Sequence, residues 1–304
     1  MIIPDIKPGL IQTEGKGPTL KSLHDPQNGW PLNYPDPPCK IGLLDDLTYV
    51  DGKIVEIDKY IDYYGKDIRN IVFYVWHHLD NLYPGLNLEY YPWFHFVHRE
   101  DAVKNNAANS FTFSDAKEFI FLCLNMNRRP HRTQTVNLLD PFPSRLISYK
   151  AYNWNLPNIT DWSLADYNDV NRTILDESII LRNTKNLINL QPIYSACQFS
   201  VVTETRYLLP FDFVTEKTTQ CWLALHPALY VSNKGHVQQL RDWGFDVFDD
   251  VFDHSYDTVE NNIRINTMIQ SNKEVLTLGI KNYKSLESRL LANRDRYLNT
   301  SWWE

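Results

Sequence analysis

At 304 residues with 43% apolar content, the chain is long enough for two modest domains with cores of their own. Its 22% charged and 13% aromatic fractions exclude a disordered chain, and a net charge of -7 is opposite to that of proteins with extended nucleic-acid surfaces. No run approaches the roughly eighteen apolar residues of a membrane helix. The start, MIIPDIKPGLIQTEGKGP, has neither the basic opening nor the apolar core of a signal peptide. Four dispersed cysteines (Cys39, Cys123, Cys197 and Cys221), none in a C-x-x-C pair, read as reduced thiols, so the expectation is a cytoplasmic protein without a membrane span.

Residues 1–39 are rich in Pro, Gly and Asp (KPGL, EGKGP, NGWPLNYPDPPCK) and read as an extended arm pinned by Trp30 and Tyr34. An N-terminal α/β domain follows over 40–116. Its predicted elements are a strand at Ile41–Leu44, a helix at Ile54–Tyr64, an apolar strand at Ile71–Trp76, and a strand or strand pair over Leu86–Val97 interrupted by Pro92. The Asn-rich stretch 103–116 reads as a linker. A second α/β domain over 117–280 opens with the strand EFIFLCL (118–124), the loop NMNRRPHR (125–132) and a helix from Pro130 through Leu139, Pro being favoured in a first helical turn. Leu146–Tyr149 is a further strand, and 162–167 and 176–190 read as loop to helix.

The stretch Gln198–Asn233 then reads as strand, loop, helix, strand. A β-branched run stops at Thr203-Glu204-Thr205-Arg206, Thr215 can cap a helix opening with Glu216-Lys217, and Ala228–Val231 is the next strand. Helices over 235–242 and 259–269, a strand over Phe245–Phe248, and a closing helix over Ile280–Leu298 complete the chain. Strands alternating with helices in both halves predict mainly parallel sheets.

In such sheets the carboxyl ends of strands and the amino ends of helices line the ligand crevice. Two clusters fall there. Asn125, Arg128, Arg129, His131 and Arg132 place three arginines in five residues after a buried strand, and Arg is a planar, bidentate partner for phosphate. Glu204, Thr215, Glu216 and Lys217 place a helix amino end and a full positive charge at the next strand, with carboxylates able to take ribose hydroxyls. In the first domain the carboxylates and imidazoles able to take a proton are Asp45, Asp46, His77, His78, Glu89 and His95, with Asp46 and His78 best placed at strand ends. There is no D-x-D triplet, P-loop, G-x-G-x-x-G, G-x-S-x-G or H-E-x-x-H, and 11 glycines leave phosphate binding to side chains and helix ends.

The words FSVVTET, FVTEKTTQCWLALHPALYVSN and HVQQLRDWGFDVFDDVFDHSYD, with FLCLNMNRRPHR and LISY before them, resemble the donor-binding half of GT-B glycosyltransferases, particularly the fucosyltransferase-like group and related phage and bacterial enzymes. The resemblance covers residues 118–257. It implies a GT-B-like α/β fold of two Rossmann-like domains facing a cleft, with a terminal helix over 281–304 that crosses back to the first domain. It implies transfer of a sugar from a nucleotide-sugar donor to a hydroxyl acceptor, without metal or other cofactor, in the cytoplasm or, if viral, the host cytoplasm. Arg128, Arg132 and Lys217 would hold the donor diphosphate; Glu204, Glu216, Thr215 and Asn125 would hold ribose and base. The acceptor would be a glycan such as a surface polysaccharide, with hydroxymethylated cytosine in phage DNA as the alternative. A different class of answer is a non-catalytic nucleotide-binding protein of the same fold.

Overall fold

A computed structural model describes residues 11–13, 39–43, 49–50, 53–75, 82–90, 99, 102–104, 106–125, 129–149, 190–205, 207–208 and 214–300. The chain divides into two compact units, Met1–Phe94 and His95–Glu304. Residues 95–116, grouped with the first domain on sequence, therefore belong with the second unit. Both units are α/β with parallel strands in small sheets. Among the described residues no helix is long and apolar enough to cross a membrane.

In the first unit β1 (Ile11–Thr13), β2 (Cys39–Leu43), a short hairpin of β3 (Tyr49–Val50) and β4 (Lys53–Ile54), helix α1 (Val55–Tyr64), β5 (Ile71–Val75) and β6 (Asn87–Tyr90) follow in order. The sheet runs β1-β2-β5-β6, parallel except for β1 on β2. Ile57 and Tyr60, three apart on α1, share a buried face, and Tyr60 meets Phe73 of β5 edge-on at 5.5 Å. The hydroxyl of Tyr83 accepts from the Ile54 amide and donates toward Asp58, closing the start of α1, whose first residues have no side-chain cap.

In the second unit a one-turn helix, α2 (Ala107–Ser110), lies inside the predicted linker. Then come β7 (Phe119–Asn125), α3 (Pro130–Leu139), β8 (Arg145–Tyr149), α4 (Gln191–Ala196), β9 (Cys197–Thr203), α5 (Glu216–Leu223), β10 (Ala228–Val231) and α6 (His236–Asp242). Helices α7 (Asn261–Ser271), α8 (Lys273–Leu278) and α9 (Glu287–Asn299) close it. The sheet is wholly parallel in the order β10-β9-β7-β8. Strands β7, β9 and β10 are largely buried on both faces, as their near-continuous apolar runs require. Phe121 meets Phe199, and Phe199 meets Phe252, which joins the sheet to the loop before α7.

Two expectations are corrected here. Phe245–Phe248 is not a strand: Phe245 and Val247 are buried as alternation predicted, but Phe248 has φ 63° and no strand among the described residues lies alongside. Asn293 of α9 takes the place of a ladder, its amide donating to the Asp246 carbonyl at 2.7 Å and its oxygen accepting the Asp246 N–H at 2.8 Å. The closing helix, expected from Ile280, starts only at Glu287. Gly279 (φ 76°) ends α8, a single 3-10 turn spans Tyr283–Leu286, and only then does α9 begin. Within this unit α9 packs on α5 through Trp222 and Tyr297, 5.5 Å apart. The regions 162–167 and 176–189 lie outside the described residues.

Candidate functional site

From β7 the chain turns to β8 on one side, and the next strand, β9, lies on the other side of β7. The connections that leave β7 and β9 therefore diverge, which makes the carboxyl ends of these two strands the switch point where α/β sheets hold ligands. A cavity of about 120 Å³ opens there. Its rim is Arg129, Arg132, Thr205, Glu216 and Lys217, and it reaches down to Tyr194, Ser200, Gln220 and Cys221. The two clusters picked out along the sequence thus meet at one hollow.

Helix α5 starts here because Thr215 and Glu204 collect its free amino end. Thr215 takes up an extended conformation and its hydroxyl accepts from the Lys217 N–H. Glu204, fully buried at the end of β9, accepts the Thr215 N–H at 3.1 Å, the Thr215 hydroxyl at 2.5 Å and the Thr218 hydroxyl at 2.7 Å. Its oxygens are thus spent on the helix, so Glu204 ties strand to helix; the sequence had placed it on ribose. The Lys217 ammonium has three N–H donors and three acceptors: Glu216 at 2.6 Å, Thr205 at 3.1 Å and Thr215 at 3.3 Å.

Helix α3 starts differently. It has no side-chain cap, and Pro130 opens it after Arg129 in an extended conformation. Its next two residues turn inward: His131 donates Nε2–H to the Glu204 carbonyl at 2.9 Å, and the Arg132 guanidinium, 2% exposed, lies 3.4 Å from the Thr203 carbonyl. A carbonyl only accepts, so the neutral ring carries its proton on Nε2. Burial holds His131 down to about 4, with the charges of Arg132, Arg129 and Lys217 acting in the same direction. Those three cations are therefore close enough to one imidazole to act on it together. Tyr207 lies flat on His131 (5.3 Å, 12°) with the Arg264 guanidinium 5.5 Å from its ring centre, and its hydroxyl donates to the Asn261 carbonyl.

Asn125 is buried at the end of β7, where its oxygen accepts the Thr203 hydroxyl at 2.6 Å; it joins β7 to β9. Glu89 is exposed on β6. Arg128, Asp45, Asp46, His77, His78 and His95 lie outside the described residues. Thr203, Thr205 and Thr218 are not among the site residues expected from the sequence, although T-E-T and the spacing of Thr215 and Thr218 on one helix face were visible signals. Cys123, Cys197 and Cys221 are buried free thiols, each pushed up to about 12 by burial. Among the described residues no three histidine, cysteine or carboxylate side chains gather as a metal ion requires.

Fold and cavity define an α/β unit with arginine, lysine and a capped helix amino end around one hollow at its switch point. No family model, curated protein or solved structure matches the chain.

Proposed function

We propose that the second unit binds the diphosphate of a nucleotide-sugar at the β7–β9 switch point, and that the protein is a GT-B-type glycosyltransferase. The observation that carries this is the meeting of Arg129, Arg132, Glu216 and Lys217 around one cavity at the amino end of α5. At about 120 Å³ the hollow is smaller than the roughly 300–1,000 Å³ that encloses a whole drug-sized ligand, so it seats one end of the donor. Lys217 and the arginines stabilise the charge that grows on the leaving nucleoside diphosphate as the glycosidic bond breaks, an effect that strengthens where water is excluded. Glu216 accepts from ribose hydroxyls. Glu204, Thr215 and Asn125 hold these groups in place and do not touch the ligand. In this reading the first unit carries the acceptor, a glycan hydroxyl, and Asp46 or His78 takes its proton.

A thermal-shift and calorimetric screen against UDP, GDP, CMP, dTDP and their sugar conjugates, with and without Mg²⁺, tests the reading. A ligand at a hundred times its Kd adds about 2.7 kcal/mol of apparent stability. Stabilisation by one nucleotide class without Mg²⁺, followed by turnover with a glycan acceptor, is the expected result. Stabilisation by none of them rejects the donor site, and binding without turnover on any acceptor replaces the enzyme with a nucleotide-binding module.

A further inference from the structure

We infer that Gln220 and Tyr194 are specificity-determining residues that read the hydrogen-bonding edge of a single-ring base, so that the ligand enters the cavity base first and leaves its diphosphate at the mouth. The inference rests on the donor-site reading above and adds which end of the nucleotide the hollow admits. Its basis is two polar groups that the fold leaves unmatched. Gln220 is 5% exposed and Tyr194 4% exposed, and both line the cavity. Among the described residues neither the Gln220 carboxamide nor the Tyr194 hydroxyl meets a hydrogen-bond partner. Buried polar groups nearly always have partners, so two without one at the same hollow mark where the polar atoms of a ligand belong.

Both groups are held in place. Gln220 stands one turn after Glu216 on α5, and with Lys217 and Cys221 it gives the cavity one face of the helix. Tyr194 is fixed from behind: its carbonyl accepts the Nε2–H of His226 at 2.6 Å, and its ring meets the imidazole edge-on at 5.0 Å and Phe111 at 6.1 Å. Burial pushes its phenol well above the ordinary range, so the hydroxyl keeps its proton as a donor, and the charge of Glu216 at the rim also acts on it. From mouth to floor the chemistry changes. The cations stand at the rim, whereas the floor offers uncharged donors and acceptors beside the apolar Leu122, Leu124 and Val202. An ionised group pushed to that depth loses its water and leaves those cations behind, so the phosphates stay at the rim and the uncharged end goes in. A carboxamide shows a donor and an acceptor side by side, the complement of the paired donor and acceptor on a base edge. An apolar cavity of roughly 150 Å³ takes up one benzene ring, so a hollow of about 120 Å³ suits the single ring of uracil, thymine or cytosine and not the fused rings of a purine.

The experiment is calorimetry of the full chain, of Gln220→Leu and of Tyr194→Phe with UDP, dTDP, CDP, GDP, ADP and inorganic pyrophosphate. A pyrimidine diphosphate should bind about tenfold or more tightly than GDP, ADP or pyrophosphate, the worth of one or two neutral hydrogen bonds. Gln220→Leu should weaken that nucleotide by about tenfold and Tyr194→Phe by about fivefold, with pyrophosphate binding unchanged. The melting temperature of Gln220→Leu should hold or rise, because the substitution removes polar atoms that no described residue satisfies. A lower melting temperature with unchanged nucleotide affinity marks a structural glutamine and overturns the inference. If Gln220→Leu does not fold, Tyr194→Phe decides alone. Equal binding of purine and pyrimidine diphosphates, or unchanged affinity in both variants, overturns the base reading and leaves the donor site standing. Pyrophosphate bound as tightly as any nucleotide also overturns it and leaves a site for the anion alone. Failure of every nucleoside diphosphate to bind the unaltered protein overturns both.

Discussion

Two hollows of the second unit differ in character, and the larger of them is the less suited to phosphate. A groove of about 820 Å³ runs between the loop Asp249–Ser255, the α7–α8 junction and residues 279–286. It lies toward the amino end of the sheet, since Gln198, the second residue of β9, accepts the Ile280 N–H at 2.7 Å. Its cations belong to exposed ion pairs: Lys281 with Glu274, and Arg241 with Asp249. The small cavity lies at the opposite ends of the same strands, and its ion pair is sheltered and beside a helix start. Position relative to strand direction, more than volume, decides which hollow gathers charge that a ligand can use.

Acid breaks both regions and carries the largest effect. His131 at the small cavity is held to about 4, His254 on the groove is also lowered, and His226 and His236 are held to about 3 and 4, burial being the leading cause each time. The unfolded chain takes up these protons near pH 6.5 and the folded chain only further down. Stability is thus full above about 6.5 and declines as pH falls toward 4 and 3, each histidine adding a slope of about 1.4 kcal/mol per pH unit. Urea unfolding at a series of pH values should show that decline, and a flat profile would mean that these rings are not held neutral.

Glu204→Ala separates the two regions. It strands the Thr215 and Thr218 donors in a buried place and should lower stability by about 2–4 kcal/mol in urea unfolding, with loss of nucleotide binding. A smaller contrast lies between the lysines. Lys217→Ala should weaken nucleotide binding by about 1.5–3 kcal/mol, whereas Lys281→Ala in the groove should leave it unchanged. Equal effects by calorimetry would erase the distinction between the hollows.

Much of this second unit is legible in the chain. Pro130 marks the first turn of α3, Thr215 marks the cap of α5, and apolar runs mark β7, β9 and β10, because each depends on local chemistry. Phe245–Phe248 misleads for the same reason: its alternation records which side chains are buried, while its missing strand partner is a tertiary fact supplied by Asn293, nearly fifty residues on. The site shows the same limit. Charged residues near strand ends point to the right edge of the sheet, yet which of them face the cavity depends on long-range contacts. His131 and Glu204 face inward because they meet each other across 73 residues of sequence, a pairing without a local signature.

The hydrogen bonds from Thr215 to Glu204 also close the connection between β9 and α5 at its base, joining positions 11 apart in the chain. Lengthening a loop whose ends are already pinned costs little, about 0.6 kcal/mol for each doubling. Lengthening the connection outside Tyr207, which is held by His131 and Asn261, therefore leaves Lys217 in register at little cost.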